Sequence, residues 1–224
     1  MEANSTETPS PLGLLDRISN RVESLDPPVA AFEKGIRSSP FRILISVLLS
    51  ARTRDPVTLA ASNRLFALAD TPGAMGDLPV KRVEEAIYPV GFFREKARRI
   101  VEIGQMLEQR EGDVPRDLVG LMTLPGVGRK TANLVRSLAF NIPAIAVDIH
   151  VFRISRRLGW ASGTKPDQVE GELKKIFPRE SWNRVNQVLV GFGQTLCRPR
   201  NPLCGECPVN SDCPWNRNRS TESY

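Results

Sequence analysis

Histidine and cysteine are scarce in this chain, and strand patterning and long apolar runs are missing altogether. Across 224 residues there is a single histidine, His150, and there are four cysteines, all within residues 197–213. A secreted disulfide framework would spread its cysteines along the chain, so this clustering argues for a reduced compartment and for metal. No apolar stretch approaches the roughly 18 residues of a membrane span, which excludes a spanning helix. The first residues, MEANSTETPS, carry neither a basic region nor an apolar one, so the expected location is intracellular, cytoplasm or nucleoid in a prokaryote. Alternating apolar and polar residues flanked by hairpin turns are also missing, which argues against a sheet.

What is abundant is helical period and positive charge. Lys and Arg outnumber Asp and Glu by 31 to 25, a net +6, which favours an anionic partner such as nucleic acid. Leu12, Leu15, Ile18, Val22 and Leu25 recur at helical steps until Pro27 and Pro28 intervene. Residues 41–51 are apolar except for Arg42, Ser46 and Ser50, a thin polar stripe on a helix buried on its other sides. Asp55-Pro56, Thr71-Pro72 and Thr164 to Pro166 read as helix starts, with a capping residue followed by proline at the first helical position. Ala97, Ile100, Val101, Gly104 and Leu107 mark another buried stripe, with Arg94, Lys96, Arg98 and Arg99 read as a solvated face. Val147, Val151, Ile154 and Leu158 form a further face that leaves Arg153, Arg156 and Arg157 outward, and residues 181–192 read as the last long helix. Helices joined by short loops define an all-α fold.

The most informative stretch is LPGVGRKTANLVRSLAFNIPAIAVDIHVFR, residues 124–153. Gly126 and Gly128 allow a helix to stop, turn sharply and restart with its N–H groups facing outward, an arrangement suited to a phosphate. Nucleotide-binding loops fail on spacing. Arg129 stands where a P-loop needs glycine, and Thr131 stands where a dinucleotide fingerprint needs its third glycine. Lys130 lies in the first helical turn, where the like-signed helix dipole and partial burial would favour a neutral, nucleophilic amine. A lysine that only contacts phosphate is the plainer alternative. Asp148 precedes a helical run and reads as an N-cap. Such a carboxylate can also stabilise positive charge at a sugar carbon or relay a proton.

Cys197, Cys204, Cys207 and Cys213 are separated by six, two and five residues, and four thiolates so spaced can converge on zinc or on an iron–sulfur cluster. Zinc is the lesser reading, because only Cys204 and Cys207 form a close pair.

LPGVGRKTA, then AVD-x-H-x-FR, then this cysteine spacing resemble the endonuclease III family of helix-hairpin-helix DNA glycosylases, and the likeness spans about residues 12–215. The resemblance implies two helical domains flanking an active-site cleft: a six-helix domain over 33–142, and an iron–sulfur domain built from 11–32 and 143–215. The ends, 1–10 and 216–224, are expected to be disordered. It implies a [4Fe-4S] cluster on the four cysteines and damaged double-stranded DNA as partner of a monomer. Lys130 becomes the nucleophile of a bifunctional glycosylase and AP lyase acting on oxidised pyrimidines, with Asp148 as the catalytic carboxylate. Leu124, Gly126, Val127, Gly128, Arg129, Arg198 and Arg200 are the expected DNA contacts. Arg52 and Phe92 fall where the family places residues that fill the gap left by a flipped nucleotide. Relatives commonly carry glutamine and leucine there, so these two leave open a mismatch uracil or thymine glycosylase. A non-catalytic DNA-damage-binding module is the alternative of another class.

Overall fold

The computed structural model describes residues 9–36 and 39–221. In these residues the chain is helical, with no strand. The helices are α1 (Pro11–Glu23), α2 (Pro28–Ile36), α3 (Pro40–Ser50), α4 (Asp55–Leu68), α5 (Pro72–Gly76), α6 (Val80–Ile87), α7 (Phe93–Glu108), α8 (Leu118–Met122), α9 (Arg129–Phe140), α10 (Ile149–Arg157), α11 (Pro166–Ile176), α12 (Trp182–Thr195) and α13 (Pro214–Thr221).

The chain divides into two units, one comprising residues 28–146 and the other residues 1–27 with 147–224. The first unit is organised around α3. Phe41, Leu44, Ile45, Leu48 and Leu49 of α3 join Leu65 of α4, Ile100 and Ile103 of α7, and Ala132 and Val135 of α9 in one core. Full burial of each large aliphatic side chain is worth about 1.5–3 kcal/mol, so this helix anchors the unit. Its polar stripe is only partly wet: Ser46 is fully buried, whereas Arg42 lies over the Phe66 ring at 4.6 Å. Asn133 of α9 is also fully buried, and its amide donates to the Ile145 carbonyl at 3.1 Å, fastening the 141–146 segment against α9.

In the second unit α12 packs against α1 and α10, and α11 packs on α10. Leu15, Ile18, Val151, Ile154, Leu173, Leu189 and Phe192 are among its buried apolar residues. Trp160 and Phe177 close the α11 side edge to face at 5.1 Å.

Several boundaries differ from the expectation. Pro27-Pro28 does more than end α1: Pro28 opens α2, as proline does at a first helical position. Arg54, not Asp55, occupies the cap of α4 and makes no side-chain cap bond. At α11 the cap is Lys165, whose N–H donates to the Gln168 side chain at 3.1 Å. Of the ends expected to be disordered, 1–8 and 222–224 lie outside the described residues, whereas Ser10 caps α1 and 216–221 belongs to helix α13. Its Trp215 ring is covered by the Arg157 guanidinium at 4.1 Å. No helix among the described residues is long and apolar enough to cross a membrane.

Candidate active site

The turn between α8 and α9 has the conformation that its glycines suggest. Gly126 has φ +76°, closed to side-chain-bearing residues at low cost, and Gly128 caps α9 in an extended conformation. The first intrahelical bond of α9 runs from Ala132 N–H to Gly128 O at 2.9 Å. The N–H groups preceding it have no partner further back in the helix, and with the positive end of the helix dipole they form an anion-accepting turn. Gly126 and Gly128 are exposed, while Arg129 and Lys130 are half-buried.

The Leu124 and Val127 side chains are 2% and 5% exposed and belong to the core, so at these two expected contact positions it is the backbone that is available to a partner. The alternation of buried apolar and exposed glycine positions is what lets one short turn anchor itself and still present its backbone.

Lys96 is the residue the sequence reading missed. Instead of facing solvent, it is 5% exposed, and its ammonium donates to the carbonyls of Leu49 at 2.8 Å and Ala51 at 2.6 Å. Burial, and then the neighbouring positive charge of Lys130, pull its pKa down to about 8. The period could have revealed it, because Lys96, Ile100, Ile103 and Leu107 share one helical face.

Arg52 and Phe92 are brought together. Each is exposed, each has a left-handed backbone (φ +55° and +59°), and the Arg52 guanidinium lies 5.2 Å from the Phe92 ring centre. Phe92 is 57% exposed and is therefore not a core residue.

On the second unit, Asp148 caps α10. Its Oδ1 accepts from the N–H of His150 at 2.9 Å and of Val151 at 2.8 Å, so the capping part of the sequence reading holds. Arg153 and Arg157, expected to point outward, turn instead into the cysteine loop. Arg153 donates to the Cys197 carbonyl at 2.9 Å; Arg157 donates to Cys197 Sγ at 3.3 Å, to the Arg198 carbonyl at 2.8 Å and to the Pro199 carbonyl at 3.1 Å. Arg198 and Arg200 are exposed, with Arg198 Nε donating to the Thr195 carbonyl at 2.9 Å.

The four cysteines are not disulfide-bonded, and all line one cavity together with Leu196, Val209 and Trp215. Burial pushes the Cys197 thiol above its ordinary range and raises Cys207 to about 11, with the adjoining thiols adding repulsion between thiolates. Thiolates so placed need a cationic centre to be stable. A set of four cysteine thiols lining one cavity is a donor set that an iron–sulfur cluster uses.

Residues 45–179 match the HhH-GPD superfamily of base excision DNA repair proteins, and residues 197–213 match the iron-sulfur binding domain of endonuclease III. These matches define the class and make the cysteine loop an iron–sulfur site. The chain is 46% identical over 183 residues to endonuclease III of Thermotoga maritima, covering 81% of this chain and 86% of that protein. It is 42% identical to the Escherichia coli protein over 179 residues, covering 80% and 85% respectively. A solved endonuclease III trapped as a covalent intermediate with DNA superposes with a TM-score of 0.83 at 37% identity, covering 92% of this chain and 95% of that one. The chain belongs to the endonuclease III family, base excision repair enzymes that are DNA glycosylases and AP lyases.

Proposed function

We propose that this chain excises oxidised pyrimidines from duplex DNA and cleaves the strand at the resulting site, with Lys130 as nucleophile and Asp148 as the assisting carboxylate. The observation that carries this reading is Lys130 in the first turn of α9, immediately behind a turn whose exposed glycines can accept a phosphate. An amine held there lies close to the backbone it would attack.

In the proposed reaction, Lys130 Nζ attacks C1′ of the damaged nucleotide, and the base leaves with the glycosidic electron pair. Opening of the sugar gives a Schiff base. Transfer of a C2′ proton to water then drives β-elimination, in which the C3′–O bond breaks and the 3′ phosphate leaves with its electron pair, and hydrolysis of the imine returns the amine. Asp148 stabilises positive charge at the anomeric centre as the base departs and accepts the lysine proton. Its Oδ2 takes no part in the cap.

Arg52 and Phe92 enter the helix where the damaged nucleotide has left it. The Arg52 guanidinium can hydrogen-bond a guanine edge bidentately, and the Phe92 ring can stack on neighbouring bases. Cys197, Cys204, Cys207 and Cys213 would hold a [4Fe-4S] cluster, which would supply structure there; Arg157 holds the carbonyls of the loop that carries Arg198 and Arg200, which contact phosphates. The protein acts as a monomer in the compartment that holds the DNA. A panel of duplexes carrying thymine glycol, uracil or an abasic site opposite each base tests the reading. Release of the oxidised base with strand cleavage is expected. Release of uracil alone with intact strands, or no product from any duplex, would overturn it.

A further inference from the structure

Two left-handed residues on neighbouring loops need something to hold them. A bulky side chain in this region of backbone space is strained, and such strain persists only where surrounding contacts over-determine it. At Arg52 and Phe92 those contacts can be traced to three ties. The buried Lys96 ammonium bonds the Leu49 carbonyl at the end of α3 at 2.8 Å and the carbonyl of the following cap residue, Ala51, at 2.6 Å, immediately before Arg52. Thr53 Oγ1 accepts the Gly91 N–H at 3.1 Å, immediately before Phe92. At Gly91 a Cβ would stand 2.6 Å from the Arg52 carbonyl oxygen, so the two backbones approach as closely as glycine allows. Lys96 itself sits in the first turn of α7, and its N–H bonds the Phe92 carbonyl at 3.0 Å. One residue thus grips both loops, the first through its side chain and the second through its backbone.

We propose that Lys96 is a positioning residue for lesion recognition: it ties the 51–54 loop to the 90–93 turn, so that Arg52 and Phe92 meet DNA as one preassembled wedge. The inference rests on the reading that these two residues enter the helix. It assigns Lys96 no contact with DNA, because the ammonium is enclosed and both hydrogen-bond partners are protein carbonyls. The Arg52–Phe92 stack at 5.2 Å is then the output of the tie. Without it, each loop can relax to a right-handed or extended conformation, and DNA must pay for reassembly from its binding energy.

The test is equilibrium binding of the full chain to a duplex containing a tetrahydrofuran abasic analogue and to the same duplex undamaged, read as the ratio of affinities. The analogue forms no Schiff base, so Lys130 chemistry does not enter. The double variant Arg52→Ala/Phe92→Ala tests the underlying reading and should lower the ratio. Lys96→Met, which keeps the buried stem and removes the ammonium, should lower the ratio by about fivefold to thirtyfold, the depletion of competent conformer when one strained residue relaxes. In the Arg52→Ala/Phe92→Ala background Lys96→Met should lower it no further. Thr53→Val, which removes the acceptor for Gly91, should act in the same direction. If the double variant lowers the ratio and neither Lys96→Met nor Thr53→Val does, the tie has no positioning role. An equal loss from Lys96→Met in both backgrounds shows only a structural role, and it also overturns the proposal. An unchanged ratio in the double variant refutes the wedge reading and this inference with it. Should Lys96→Met fail to fold, the Thr53→Val result decides.

Discussion

Replacing each glycine of the α8–α9 turn by alanine separates folding from DNA contact. At Gly126 the backbone has φ +76°, and a Cβ would stand 2.7 Å from Arg99 Cδ and 2.8 Å from its Nη1. The arginine can swing aside, so the dominant cost is conformational, about 1–2 kcal/mol for a non-glycine residue in the left-handed region. At Gly128 the backbone is extended and a Cβ meets nothing within 4 Å. The entropy removed from the unfolded chain, about 0.4–1 kcal/mol, there offsets the slightly poorer cap. Gly128→Ala should therefore leave the urea midpoint nearly unchanged while Gly126→Ala lowers it. In DNA binding the ranking changes, because a methyl group at position 128 projects from the exposed face of the turn. Losing one charge-assisted phosphate hydrogen bond costs about 1.5–3 kcal/mol, tenfold or more in Kd. Fluorescence anisotropy on an undamaged duplex measures this. A Gly128→Ala protein that unfolds as early as Gly126→Ala, or that binds DNA as tightly as the wild type, would refute the account of the turn.

Other consequences can be measured independently. Asp148→Asn should slow base release strongly while DNA affinity changes little, and wild-type single-turnover rates would count against its role; the Asp148 cap bonds make a modest loss of melting temperature the expected side effect. Asn133→Ala should cost about 1–3 kcal/mol, because the buried Ile145 carbonyl loses its donor; thermal unfolding checks this. The Glu172 carboxylate accepts N–H bonds from Gly163 and Ser162, which hold its pKa below the ordinary value of 4.5. Its contribution to stability is present above that value and disappears as pH falls through the lower folded-state pKa, so Glu172→Gln should flatten the acid limb of a pH–melting curve. Cys213→Ser should lower iron content and weaken visible absorption, and unaltered iron stoichiometry would remove that cysteine from the ligand set.

Much of the helical framework was legible because apolar residues recur at helical steps and prolines mark starts. Failures occurred where one signal has two meanings. Pro27-Pro28 reads as a stop, yet proline at a first helical position is equally a start, and α2 begins there. The hairpin was legible because glycine at a tight turn is local chemistry, independent of distant packing. That Leu124 and Val127 are buried was not visible in the motif, since it depends on what packs beneath the turn. Lys96 was hidden by its charged neighbours, although its spacing from Ile100 and Leu107 placed it on the buried face. Arg153 and Arg157 were read as outward because helical period does not reveal a loop 40 or more residues later that they support.

In the proposed reaction the amine of Lys130 forms the covalent bond to DNA. Borohydride reduction during incubation with an abasic-site duplex, followed by proteolysis and mass spectrometry of the adduct, tests it most directly. A single adduct is expected on the peptide containing Lys130, and none from Lys130→Gln protein that still folds and binds iron. An adduct on any other residue, or undiminished trapping by Lys130→Gln, would contradict it.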